Sequence, residues 1–242
     1  MRKPILALCA LAAALILPGC AKTPPPDDGP AVVRTFLAGC EAEDHSSRIL
    51  LNLLEDGSAT FYVGALENGI HTTTQYHAAY ALGENAAYDE TIRLTHEDGS
   101  ATDATIVDGV FEMDAIRFYE TAPVSMEGDV YVGYLTKTSG MGPLVYAYGL
   151  CLREDASFDV SIMQMASVMH VWGSTGGTYT AKGNTATFTY DIRTDQGELI
   201  APDALAEAVD FNGHSFSTGF NIQQNTMSAS DARFIQVKET GE

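Results

Sequence analysis

An all-β fold follows from three observations: short alternating strands separated by Gly, Asn and Asp turns, a near absence of helical periodicity after residue 31, and one strand-turn-strand pattern that occurs twice. The pattern is clearest in Gly177-Thr-Tyr-Thr-Ala-Lys-Gly-Asn-Thr-Ala-Thr-Phe-Thr-Tyr-Asp-Ile192, a short strand, a Gly-Asn turn and a longer alternating strand. Its variant is Ala79-Tyr-Ala-Leu-Gly-Glu-Asn-Ala-Ala-Tyr-Asp-Glu-Thr-Ile-Arg-Leu94. Asp56 and Asp155 stand 99 residues apart, Tyr80 and Tyr179 also 99, and Asp98 and Asp195 97. So steady an offset marks an internal duplication. The expected architecture is an antiparallel meander in two tandem half-barrels or barrels, or a β-sandwich, with minimal helix.

The first element in the chain is an address. Arg2 and Lys3 precede the apolar run Ile5-Leu-Ala-Leu-Cys-Ala-Leu-Ala-Ala-Ala-Leu-Ile-Leu17, too short to span a bilayer comfortably and of the form of an export signal. It ends in Leu17-Pro-Gly-Cys20, which resembles the bacterial lipobox, with Pro18 where that pattern usually has Ala, Ser or Thr. The resemblance implies a signal peptide over 1–19 and a diacylglyceryl, N-acylated (palmitate-type) Cys20, with two or more buried chains acting as a lasting membrane anchor. In a Gram-negative host, Ala21 after the lipidated Cys implies outer-membrane sorting; otherwise the outer face of the cytoplasmic membrane is expected. Leu37-Ala-Gly-Cys40 has a better lipobox spelling but no apolar run before it. Residues 20–30, rich in Pro and Asp, read as a semi-rigid tether.

Two β units are expected beyond the tether, over 31–122 and 123–242. The first opens with Ile49-Leu-Leu-Asn-Leu-Leu54, turns at Glu55-Asp-Gly-Ser58 and continues through Ala59-Thr-Phe-Tyr-Val63; the second has Tyr148-Gly-Leu-Cys-Leu152, a turn at 153–157 and Phe158-Asp-Val-Ser-Ile162. Both read as hairpins around an acidic turn. The first unit closes with Val110–Phe118 and the second with Phe216–Ile222, while Asp129–Thr136 lies between the copies or begins the second. Pro202-Asp-Ala-Leu-Ala-Glu-Ala-Val209 is the single candidate helix, with Pro and Asp at its start.

This succession of strand, Asp-Gly turn, aromatic-ended strand, Gly-Thr-Tyr and Gly-Asn resembles the lipocalin-like (calycin-type) domains of bacterial lipoproteins. Copy one has Ala79-Tyr80 in place of Gly-Thr-Tyr, and no Gly-x-Trp opens the unit. The resemblance implies a meandering barrel or half-barrel that binds a small apolar ligand or an envelope protein, and Phe61, Tyr80, Phe158 and Tyr179 are the residues expected to line such a cavity.

Composition narrows the chemistry. The 242 residues are 45% hydrophobic and 9% aromatic, enough for one large core or two small ones. Thirteen Lys and Arg face 32 Asp and Glu, a net charge of -19 that disfavours nucleic acid and anionic headgroups. Gly-x-Ser-x-Gly, His-Glu-x-x-His, a P-loop and a dinucleotide fingerprint are all absent, so no catalytic residue is assigned and a non-enzymatic role is expected. Once the signal is removed and Cys20 acylated, Cys40 and Cys151 remain, a candidate disulfide or two buried thiols. Metal chemistry has one anchor, Met163-Gln-Met-Ala-Ser-Val-Met-His170: thioethers from Met163, Met165 and Met169 beside the His170 imidazole suit copper, though Met runs of this kind also fill cores. That copper-handling alternative resembles lipocalin-like copper-resistance lipoproteins, whose Cys-x-x-Cys is missing here. His71 and His77 are six apart and share one side of an unbroken strand.

Overall fold

The computed structural model describes residues 29–240, apart from 44, 88, 141, 167–168, 194–198, 201–205 and 223–226. The signal, Cys20, Asp195 and the Pro202–Leu205 half of the candidate helix therefore lie outside the described residues. Val32–Glu242 forms one compact unit. Its strands are β1 (Val32–Glu41), β2 (His45–Leu54), β3 (Ser58–Glu67), β4 (Ile70–Glu84), β5 (Glu90–His96), β6 (Ala101–Ile106), β7 (Val110–Met113) and β8 (Ile116–Thr121) in one sheet. A second sheet holds β9 (Asp129–Ser139), β10 (Gly142–Leu152), β11 (Ser157–Ala166), β12 (Met169–Lys182), β13 (Thr185–Arg193), β14 (Leu199–Ile200), β15 (Ala206–Asn212), β16 (Ser215–Ile222) and β17 (Met227–Lys238). Every pairing is antiparallel, and the described residues contain no helix.

Both sheets curl back on themselves. In the first, β8 returns to pair with β1, so the order β6-β5-β4-β3-β2-β1-β8-β7 is a barrel open at one seam, between β6 and β7, where Val107 and Val110 make an isolated bridge. In the second, β17 pairs with β9 and β12 pairs with β13, which closes eight strands into a ring with β14 appended to β13. These are antiparallel barrels of the meandering kind, compatible with a lipocalin-like fold.

The duplication extends to individual hydrogen bonds. Asp56 Oδ1 accepts from the Ser58 N–H at 2.9 Å and its hydroxyl at 2.6 Å, and Asp155 does the same for Ser157 at the same distances. The next strand then clamps the turn. Tyr80 donates its N–H to the Gly57 carbonyl (2.8 Å) and its hydroxyl to Leu54 O (2.9 Å); Tyr179 does so to Ala156 O (2.8 Å) and Arg153 O (2.9 Å). Gly57 sits at φ +83° whereas Ala156 holds φ +65°, a left-handed conformation in which Cβ crowds the following carbonyl. Ala156→Gly is accordingly expected to raise the unfolding free energy by about 0.5–1 kcal/mol, read from the urea midpoint, and Gly57→Ala to lower it by at least as much.

Each barrel has its own aromatic core. Phe111 and Phe118, opposite one another on β7 and β8, stack at 4.9 Å with Phe36 edge-on at 5.1 Å, while Phe61 meets Phe118 at 6.3 Å. Phe216 and Phe234, opposite one another on β16 and β17, stack at 4.7 Å in the second barrel, and Phe158 is edge-on to Phe188 and Tyr190 at 5.0 and 5.1 Å. Among the described residues these rings pack as stacked and T-shaped pairs, arrangements that ring quadrupoles favour.

A third cluster joins the barrels. On β1 and β2, Phe36, Ala38, Leu51 and Leu53 point into the first barrel, whereas Leu37 and Leu50 point outward and meet Val130, Val132, Val145, Ala147, Cys151 and Met163. Strand β10 mirrors this, with Tyr146, Tyr148, Leu150 and Leu152 inward and its alternate residues in the joint. The unbroken apolar runs Ile49–Leu54 and Val145–Leu152 thus reflect strands buried on both faces.

Two expectations change at this level. Val110–Phe118 is not one strand but the β7–β8 hairpin, turned at Asp114 and Ala115 with both φ positive (52° and 63°). Ala206–Val209 is strand rather than helix, because β15 pairs Ala206–Asp210 with β13 and tertiary pairing overrides its Ala content.

Candidate functional site

Beside the joint lies an open cleft of about 1160 Å³, large enough for a drug-sized molecule. The first barrel contributes Gly39 and Cys40 at the end of β1, Val107 and Asp108 from its open seam, and Val110, Ile116, Arg117 and Tyr119 from β7 and β8. Tyr134 and Thr136 of β9, Pro143 and Val145 of β10, Met165 of β11 and His170 of β12 supply the other wall. The apolar floor follows from the outward residues of the joint, Val110, Tyr119, Tyr134, Val145 and Met165, which run on into the cleft.

Polar groups share the lining with this floor, among them Asp108, Glu112, Arg117, Thr136 and His170. Arg117 pairs with Glu112 at 3.1 Å, both well exposed. The Tyr119 phenol is pushed above its ordinary range, first by burial and then by the neighbouring Tyr134 phenol, whose ring centre is 6.3 Å from its own, so it stays protonated across the physiological range. His170 crosses between barrels and donates Nε2–H to the Glu120 carbonyl at 2.9 Å. Its ring lies against Gly109, where a Cβ would come within 2.5 Å of Cε1.

Other groups fix the two barrels against each other. The Arg48 guanidinium, fully buried, donates Nη1–H to Cys40 O (3.2 Å) and Ser47 O (2.7 Å), Nε–H and Nη2–H to Arg233 O of β17 (3.2 and 3.1 Å), and Nη2–H to the Glu41 carboxylate. Gly64 of β3 sits so close to β17 that a Cβ would lie 2.0 Å from the Gln236 carbonyl oxygen.

The four residues expected to line one cavity are divided between two cores. Phe61 and Tyr80 belong to the first barrel's cluster, Phe158 and Tyr179 to the second's, and both tyrosine hydroxyls are occupied by the turn clamps. Of the sulfur-rich segment, Met165 and His170 face each other across β11 and β12 on the cleft wall, whereas Met163 is buried in the joint. Met169 lies in β12, but its side chain is outside the described residues. Cys40 and Cys151 are free thiols, not a disulfide: Cys40 is exposed on β1, Cys151 is buried on β10, and burial raises the Cys151 pKa. His71 and His77 part company. His71 donates to Gln236 O at 2.9 Å, while His77 approaches Thr60 Oγ1 and the Gln75 amide.

Sequence reasoning missed the cleft because its residues come from seven strands and two turns of both copies, and only their folding together makes a wall. The signal that was present is the pair of two-faced apolar runs, which mark where the barrels meet. Compared with protein-family models, curated proteins and solved structures, the chain matches none.

Proposed function

We propose that this chain is a lipid-anchored envelope lipoprotein of lipocalin-like type, non-catalytic, which holds a small apolar ligand in the cleft between its two barrels. The observation that carries this reading is where the free volume lies. Among the described residues, stacked and T-shaped aromatics sit inside both barrels, whereas the cleft has an apolar floor, a protonated Tyr119 and the Arg117–Glu112 pair at its side. A concave site that sets an apolar floor beside polar groups able to fix orientation is suited to a small molecule. The lipobox and the Pro-rich tether support an anchored, outward-facing position, and a protein partner is the alternative occupant of the same surface.

Titration of the full chain with the neutral dye N-phenyl-1-naphthylamine tests the reading without interference from the acidic surface. Saturable binding at one site is expected. Thr136→Trp, an exposed position on the cleft wall, should weaken it by about tenfold or more, the equivalent of about 1.4 kcal/mol, while Thr74→Trp on exposed β4 leaves it unchanged. Equal binding by the wild type and Thr136→Trp contradicts the proposal.

The second reading, copper handling, is favoured by one contact: Met165 opposite His170 in the wall of this cleft, with the Cys40 thiol on the other wall. Trp172, about half exposed and opposite Met163 in the β11–β12 register, is the reporter. Copper that leaves its emission unchanged removes that reading.

A further inference from the structure

A separate cluster lies at the β4 end of the joint. The Asn68-Gly69 turn, with φ of 49° and 78°, links β3 to β4 and sets His71 on the second residue of β4. Two residues between β15 and β16, Gly213 at φ +60° and His214, make the matching turn in the second barrel, and Glu239 follows the end of β17. These three segments meet. His71 and His214 stack at 4.3 Å with their planes 5° apart, and one ligand atom from each of His71, His214 and Glu239 lies within 4.8 Å of the other two.

We propose that His71, His214 and Glu239 bind a divalent transition-metal ion of borderline softness, with Zn²⁺ as the type case. Two imidazoles and a carboxylate are the donor set such ions prefer. An independent observation points the same way: Gln236, buried on β17, engages one nitrogen of each ring. His71 donates Nε2–H to its backbone carbonyl at 2.9 Å, and His214 Nδ1 lies 2.7 Å from its side-chain oxygen. This is the outer-shell pattern of metal-bound histidines, in which one nitrogen is tied to a carbonyl or amide oxygen and the other lone pair is left for the ion. The parallel rings do not aim both lone pairs at one point. His71 is the fixed ligand; the exposed His214 turns its free Nε2 toward the ion, and the Glu239 carboxylate, 3.6 Å from the Gln236-bonded Nδ1 of that ring, swings in beside it. The net charge of -19 raises the local cation concentration. A bound ion links β4 of one barrel to the β15–β16 turn and β17 end of the other.

Isothermal titration of the tag-free full chain with Zn²⁺, alongside its thermal unfolding, is the test. One ion per chain with a Kd in the micromolar range is expected, together with a higher Tm that a chelator reverses. His214→Ala, at a turn where the fold tolerates it, and Glu239→Gln should each weaken binding by about tenfold or more, and His71→Ala at least as much. His77→Ala and His170→Ala should leave the Kd unchanged, so this site and the copper reading of the cleft fail separately. Should His71→Ala not fold, Cu²⁺ in the wild-type chain should show coupling to two nitrogens in its electron paramagnetic resonance spectrum. Binding no tighter than millimolar, loss of binding in His170→Ala, or unchanged binding in His214→Ala overturns the proposal.

Discussion

Arg48→Met is expected to lower the unfolding free energy by about 3 kcal/mol. Methionine keeps the length and fills the space, so the cost falls on the acceptors. Cys40 O, Ser47 O and Arg233 O lose donors from a charged group in a buried setting, and bonds of this kind contribute about 1.5–3 kcal/mol each before partial compensation. Glu41, about half exposed, rehydrates and softens the loss. The pair also sets an acid limb. Burial alone would raise the Glu41 pKa, but its hydrogen bonds from Arg48 and Ser46 outweigh burial and hold it below the usual carboxylate range. A depressed folded-state pKa contributes stability that is present above the unfolded value and is lost as pH falls through the folded one. Arg48→Met should therefore show a shallower loss of stability below about pH 4.5, where free glutamate titrates. Urea unfolding of both chains at neutral and acid pH measures this, and a change under about 0.5 kcal/mol at neutral pH, the ordinary surface value, contradicts it.

Gly64→Ala is expected to cost about 3 kcal/mol or more. The new Cβ would meet the Gln236 carbonyl oxygen at 2.0 Å and Ile235 Cγ2 at 3.2 Å, and the first obstacle is backbone in a paired strand rather than a movable side chain. Relief requires β3 and β17 to move apart, which opens the joint along its whole β2–β4 side. Gly83→Ala is the control. That glycine is an exposed strand residue whose Cβ would meet Thr91 Oγ1 at 3.3 Å, so its effect should stay within about 0.5 kcal/mol. Similar midpoints for the two variants would mean that the barrels do not touch at Gly64.

Much of the fold was legible because turn chemistry is local. Asp56, Asp155, Tyr80 and Tyr179 marked a duplication by their spacing alone, and the structure adds that both copies clamp the turn with bonds that agree to within a tenth of an ångström. Where the reading failed, longer-range pairing decided. Ala206–Val209 looks helical by composition, yet β13 takes it as a neighbour. The hairpin at Asp114 and Ala115 carries no glycine, so its positive φ values left no mark in the sequence. The site was less legible than the fold. The residues that line the cleft and those around Gln236 are far apart in the chain, and His71 and His214 meet because two barrels pack outer face to outer face. Aromatic residues chosen as cavity lining proved to be core, since alternation identifies a buried face without telling an empty barrel from a filled one.

The central claim is that free volume for a ligand lies between the barrels and not inside either. A crystal of the full chain grown with a brominated derivative of N-phenyl-1-naphthylamine measures this most directly, through the position of the bromine anomalous peak. The account predicts a peak in the cleft, bounded by Val110, Tyr134 and Met165. A peak within either barrel, among Phe111 and Phe118 or among Phe158 and Phe188, would contradict it.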